Sequence, residues 1–263
     1  MKIGYYQYAP EFGNLEENRR RIVEAVRSSD ADLLVLPELA TSGYYYPDTE
    51  TAYRLGEPVP GPTTEAIAKA SRESGISTVI GIPELRDNTL YNSAVMVDSG
   101  GVRGVYRKVH LFNEEKLHFS PGTGGFSLFE VKGVKIGLLV CFDHMFPEAA
   151  RTLALAGAQI ICHPSNLVLP EYGQLTTRVR ALENRVFWIL TNRHGTEHLG
   201  ENSLTFTGES QIVDSAGKVL AKAGAGSDQL ISVEVDPAKA ENKWVTSYNQ
   251  LFEDRRPELY SLG

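Results

Sequence analysis

Apolar and polar residues change rhythm several times along this chain, and each rhythm predicts an element. Residues 3–8 form an apolar run of strand length. Over residues 15–29, Leu15, Ile22, Val23 and Val26 fall on one helical face, with Glu16, Glu17, Arg19, Arg20 and Arg21 elsewhere. Residues 32–36 are a short apolar run ended by Pro37, which suits a buried strand. The turn signal Pro60-Gly61-Pro62 opens a second helix over residues 62–74, and another apolar strand comes next at 76–82.

The rhythm then shortens. Residues 91–97, 101–106, 126–131 and 134–140 read as strands, paired across the turn sequences Asp98-Ser99-Gly100-Gly101 and Lys132-Gly133. A helix is expected after Cys141, with Pro147 at its first position, Glu148 against its positive end and Gly157 closing it. Residues 158–163 predict a strand. Leu175, Val179, Leu182 and Val186 repeat at helical spacing, residues 186–192 return to strand, and hairpins are expected near Asp214 and Gly217. Helices before and after mixed strands predict a layered α/β protein. The hairpins predict sheets that are not purely parallel. No repeat, linker or low-complexity segment is visible, so one domain over residues 1–263 is expected.

Composition narrows the function. With 263 residues, 42% of them hydrophobic, the chain is able to bury a sizeable core. Its 26 basic and 33 acidic residues give a net charge of −7. They are interspersed with no basic stripe, which argues against nucleic acid as a partner. The start MKIGYYQYAP lacks the apolar core of about 7–15 residues of a secretory signal. No run reaches the roughly 18 apolar residues of a membrane span. A cytoplasmic protein with no membrane partner is the expectation. The two cysteines, Cys141 and Cys162, cannot staple a domain this large, and a reducing compartment keeps both as thiols. His110, His118, His144, His163, His194 and His198 are scattered without metal-ligand spacing, so neither metal nor cofactor is expected.

Three predicted strands run into reactive or charged side chains: Pro37-Glu38, Arg107-Lys108 and Cys141-Phe142-Asp143. Ligands in α/β sheets gather beyond strand ends. If these ends meet, a carboxylate can take a thiol proton as general base. An ammonium can then steady the thiolate and the oxyanion formed when sulfur attacks a carbonyl. The helix after Cys141 would add to that by favouring negative charge. Each residue also has an ordinary reading, as a buried small apolar group, a loop carboxylate or a surface charge. The three lie far apart in sequence, and composition alone does not choose.

Their flanking motifs do. Leu36-Pro37-Glu38-Leu39 with Ser42-Gly43-Tyr44, Tyr106-Arg107-Lys108-Val109-His110-Leu111-Phe112, and Val140-Cys141-Phe142-Asp143 with Phe146-Pro147-Glu148 resemble the nitrilase superfamily of carbon–nitrogen hydrolases, in order and spacing. Tyr91-Asn92-Ser93-Ala94, His163-Pro164-Ser165-Asn166 and residues 180–185 fit as well, and the resemblance covers roughly residues 2–256. It implies a four-layer αββα sandwich. It implies Glu38 as general base, Lys108 as catalytic lysine and Cys141 as nucleophile. Glu115, ahead of Phe119 and Pro121-Gly122, takes the place of the family's second glutamate, with Glu114 its neighbour. The resemblance also implies a homodimer or larger homo-oligomer, joined through the helices near the nucleophile and near residues 170–185. The tail at about 245–263 is expected to reach a partner subunit.

The mechanism so implied adds the backbone N–H of Phe142 as an oxyanion donor. His144 either lines the pocket or caps the helix. Asn166 either contacts substrate or satisfies the turn before Pro170. Tyr44 either walls the pocket or packs. Cys162 is expected in the core. Phe142-Asp143 after the nucleophile resembles the amidase and carbamoylase branches rather than the nitrile cleavers. His144-Met145 stands where an arginine pair would hold a carboxylate. The expected reaction is hydrolysis of a small aliphatic amide to acid and ammonia through a thioester. Nitriles are the alternative and N-carbamoyl amines a third. A catalytically silent protein on the same fold is the reading from another class.

Overall fold

The structure is a computed structural model that describes residues 1–260. The last three positions of the tail expected to contact a partner lie outside the described residues. The first half of the chain supplies strands β1 (Lys2–Gln7), β2 (Leu33–Val35), β3 (Ser77–Arg86), β4 (Thr89–Asp98) and β5 (Gly101–Arg107), with helices α1 (Leu15–Ser28), α2 (Thr49–Arg54) and α3 (Pro62–Ser74) between them. The second half supplies the short helix α4 (Glu115–His118), strands β6 (Leu128–Val131) and β7 (Val134–Leu138), a 3-10 turn over Cys141–Met145, and helix α5 (Pro147–Leu155). Then come β8 (Ile160–Ser165), α6 (Tyr172–Asn184), β9 (Phe187–Asn192), the hairpin β10 (His194–Leu199) and β11 (Asn202–Thr207), β12 (Gln211–Val213), β13 (Val219–Lys222) and β14 (Gln229–Glu234).

The strands make two mixed six-stranded sheets, ordered β14-β1-β2-β3-β4-β5 and β6-β7-β8-β9-β12-β13. In both, the successive pairings run antiparallel, parallel, parallel, antiparallel, antiparallel. The chain thus repeats one topology twice, a symmetry its sequence does not display.

Alternating side chains explain the layering. Ile3, Tyr5, Leu33, Val35, Val79, Ala94 and Met96 point from the first sheet into a core shared with Leu138, Ile160, Cys162 and Ile189 of the second. Their neighbours Leu36, Ile80, Ile82, Val95 and Val97 point the other way and pack with Ile22 of α1 and Ile67 of α3. Strands buried on both faces lack polar alternation and appear as continuous apolar runs. Ala149 and Leu153 of α5 and Ala181 of α6 cover the second sheet. The order is helices, sheet, sheet, helices: the αββα sandwich.

Helix α6 forms where the spacing predicts it, but turns its apolar stripe to the outside. Leu175, Val179 and Leu182 face outward, with Leu175 61% exposed, while Gln174, Thr177, Ala181 and Asn184 face the protein. The inward polar side chains find internal partners: Gln174 Nε2 donates to the Gly208 carbonyl at 3.3 Å and Asn184 Nδ2 to the Arg180 carbonyl at 2.9 Å. Gln211 Nε2 donates to the Gln174 carbonyl and the Thr177 hydroxyl, both at 2.8 Å. Ahead of the tail, Lys243 Nζ donates to the Asn184 and Arg185 carbonyls at the end of α6.

Candidate active site

The chain leaves β2 through Leu36 and Pro37 and crosses β3 at a point only glycine permits. A Cβ on Gly81 would lie 2.4 Å from the Glu38 Cα. The close crossing is held by Gly81 N–H to the Pro37 carbonyl at 3.0 Å and Ala40 N–H to the Gly81 carbonyl at 2.8 Å. Glu38 is fully buried as a result. Its Oε1 accepts from Asn92 Nδ2 of β4 at 2.7 Å. Its Oε2 has no partner among the described residues. Burial pushes the Glu38 carboxyl above its ordinary range, and Lys108 only partly offsets this.

Lys108 comes directly after β5, and its backbone N–H donates to the Asn92 carbonyl at 2.8 Å. Its Nζ donates to Glu38 Oε1 and to Glu115 Oε1, each at 2.7 Å. Burial alone would drive the ammonium towards neutrality, but Glu115 and Glu38 outweigh it and its pKa is raised. Glu115 is the buried member of the Glu114-Glu115 pair. It also accepts from the Tyr44 hydroxyl at 2.8 Å and the Phe112 N–H at 3.3 Å. Two carboxylates on one ammonium leave the cluster net negative.

Cys141 sits at a sharp turn after β7, with φ of +42°, a conformation that costs a non-glycine residue about 1–3 kcal/mol. Asp143 secures the turn by accepting from the Val140 N–H and the Tyr106 hydroxyl at 2.8 Å, and from His110 Nδ1 at 2.7 Å. Neutral His163 donates Nε2–H to the Cys141 carbonyl at 2.8 Å. Burial first, then the Glu38 and Glu115 charges, raise the thiol well above its usual range, against opposing pulls from Lys108 and the Asn166 N–H. The resting group is therefore a protonated thiol, not the ready thiolate that an adjoining helix would favour. Cys141 opens a single 3-10 turn rather than a helix, and the nearby charge is net negative.

Cys141 is 5% exposed and opens onto a small cavity of about 70 Å³. Phe142, His144 and Asn166 line it together with Phe112, Leu169 and Tyr172. His144 pairs with Thr176 through Nδ1 at 2.6 Å, and burial lowers its pKa to about 4. Asn166 ties the two sheets together by donating Nδ2 to the Glu38 carbonyl at 3.0 Å, while its Oδ1 is unpartnered among the described residues. Tyr44 lies elsewhere. It borders a second cavity, of about 90 Å³, with Glu115, and Phe112 is the wall common to both. Cys162 is fully buried.

The family model for carbon–nitrogen hydrolases matches residues 2–243. The chain belongs to the carbon–nitrogen hydrolase family. This hydrolase is 38% identical to a nitrilase of Pyrococcus abyssi, over 99% of both chains. Its fold matches a carbon–nitrogen hydrolase of Helicobacter pylori G27 with a TM-score of 0.87, 28% identity, and coverage of 99% of this chain and 97% of that one. It also matches an amidase of Nesterenkonia sp. AN1 with a TM-score of 0.81 and 27% identity over 98% of each chain. A variant of that amidase carries the result of Michael addition of acrylamide at its active-site cysteine.

Of the residues expected from the sequence, Glu38, Lys108 and Glu115 are in direct contact, and Cys141 is near enough to feel all three charges. Roles for Asn92, for the Asp143–Tyr106–His110 brace and for His163 were not visible in the sequence, although the motif around Asn92 was. Those are buried polar residues in strands and turns. Their hydrogen-bond partners reveal them, and those partners are distant in sequence.

Proposed function

We propose that this hydrolase converts small aliphatic amides to carboxylic acids and ammonia through a thioester on Cys141. The observation that carries the reading is the buried chain Glu38–Lys108–Glu115, closed by two 2.7 Å hydrogen bonds, beside a cysteine that opens to a cavity. Glu38 is the general base: Oε2 is buried and free to take a proton, and burial raises its affinity for that proton above that of an ordinary carboxylate. As sulfur bonds to the carbonyl carbon, Glu38 takes the thiol proton. The Lys108 ammonium and the Phe142 N–H hold the oxyanion. The tetrahedral species then expels the amine, which collects its proton from Glu38. Water, deprotonated by Glu38, attacks the thioester and releases the acid. Glu115, fixed by Tyr44, orients Lys108 and the substrate amide without reacting.

The cavity's walls support the substrate class. Phe112, Phe142, Leu167 and Leu169 are apolar, and besides Cys141 its polar side chains are His144, Asn166 and Tyr172. Neutral His144 and Asn166 suit an uncharged amide, and the Lys108 ammonium is already neutralised by Glu38 and Glu115 rather than free to hold a substrate carboxylate. The P. abyssi relative, named a nitrilase, keeps nitriles as the second reading. The outward apolar stripe Tyr172, Leu175, Val179 and Leu182 supports a homodimer packed through α6. Both cysteines are free, which suits a reducing, cytoplasmic compartment.

Ammonia release from a panel of aliphatic amides, nitriles and carbamoyl amines tests the proposal. Short amides should turn over best, and Cys141→Ala should abolish release while melting like the parent. Preference for nitriles would replace the substrate assignment, and full activity in Cys141→Ala would remove the site.

A further inference from the structure

Outside the catalytic cluster lies a second buried ion pair, Arg193 with Glu197. Arg193 joins β9 to β10, and its guanidinium sits 4.1 Å above the Phe206 ring of β11. Glu197, on β10, does more than neutralise it. Glu197 Oε2 accepts the N–H groups of Tyr45 at 2.6 Å and Tyr44 at 3.1 Å. Gly43 allows this approach: a Cβ there would lie 2.7 Å from Glu197 Oε1, and its φ is +83°. The Phe206 ring meets Tyr44 edge-on at 5.7 Å. From this clamped backbone the Tyr44 hydroxyl reaches the same Glu115 oxygen that Lys108 holds. The β10–β11 hairpin belongs to neither large sheet, yet it grips the segment that fixes the carboxylate cluster.

We propose that Glu197 is a positioning residue for the reaction, clamping the Tyr44–Tyr45 backbone so that the Tyr44 hydroxyl holds Glu115 against Lys108. The inference rests on the role given to Glu115 above. Glu197 touches no substrate and acts through Tyr44. An ion pair serving stability alone has no need of two N–H groups from the loop that carries Tyr44.

The test is steady-state ammonia release by Glu197→Gln in the parent protein and in Tyr44→Phe. Gln keeps the size but presents an NH₂ group to Arg193 or to the two N–H groups. In the parent, kcat should fall about tenfold with KM changed less than about threefold; in Tyr44→Phe, itself impaired, the added loss should be under about twofold. An equal tenfold loss in both backgrounds, or undiminished kcat in Glu197→Gln, overturns the proposal and leaves Glu115's role standing. Undiminished kcat in Tyr44→Phe instead overturns the link from Tyr44 to Glu115, and this proposal with it. If Glu197→Gln does not fold, Gly43→Ala, whose Cβ pushes the loop off Glu197, goes through the same cycle with the same deciding outcomes.

Discussion

Lys108 Nζ lies 2.7 Å from Glu38 Oε1, and neither side chain has exposed surface. Neither charge is tolerable alone at that depth, and Glu115 makes the ammonium's second bond. Lys108→Met fills similar space but leaves two carboxylates facing each other. We expect kcat for ammonia release to fall about 10²–10³-fold, the cost of one oxyanion donor. Urea denaturation should show about 3–5 kcal/mol lost, the usual result of breaking one side of a buried pair. A kcat within twofold of the parent would contradict the role of Lys108.

The pH dependence originates in Glu38. Burial raises its carboxyl above the ordinary value of 4.5. A base must be ionised to act, so kcat/KM should rise with pH through a limb lying above that value. Glu38→Gln should lose most turnover at every pH. A limb at or below 4.5 with the parent protein would show that Glu38 is not the group being titrated.

Stability should depend on pH through two buried histidines. Burial lowers His144 from 6.5 to about 4 and His163 from 6.5 to about 3. Below pH 6.5 the unfolded chain takes up protons that the folded protein refuses, so stability is complete above that pH and declines as pH drops towards 4 and then 3. Melting temperatures from about pH 7.5 to about pH 4 should fall, and His163→Gln should flatten part of the slope. An unchanged slope in that variant would assign the acid sensitivity to other groups.

The site was legible from sequence where a motif spans the reactive residue, as in Leu36-Pro37-Glu38 and Val140-Cys141-Phe142. The fold was legible where apolar runs mark strands buried on both faces, as at Leu33–Val35. Other features were not legible. The repeat at Leu175, Val179 and Leu182 has helical spacing whichever way the helix faces, and only its packing shows that the stripe points outward. Glu197 has no local signature, because its partners Tyr44, Tyr45 and Arg193 are gathered by the fold. The protonated state of the Cys141 thiol depends on the balance among Glu38, Glu115 and Lys108, which no spacing encodes.

The outward stripe of α6 should hold subunits together. Replacing Leu175 and Val179 with glutamate should leave folding intact, because both side chains are exposed within the subunit. Sedimentation velocity should show the parent as a dimer or larger assembly and the double variant shifted to monomer. A monomeric parent, or an unshifted variant, would take α6 out of the interface.

The central claim is that the acyl group passes through sulfur. Acid-quenching the enzyme during turnover of a short amide, then mapping its peptides by mass, tests it directly. An acyl group, labile to hydroxylamine, is expected on the peptide that contains Cys141, and no such adduct in Cys141→Ala. Product formation with no acyl group on that peptide, or with the adduct mapped to another residue, would contradict it.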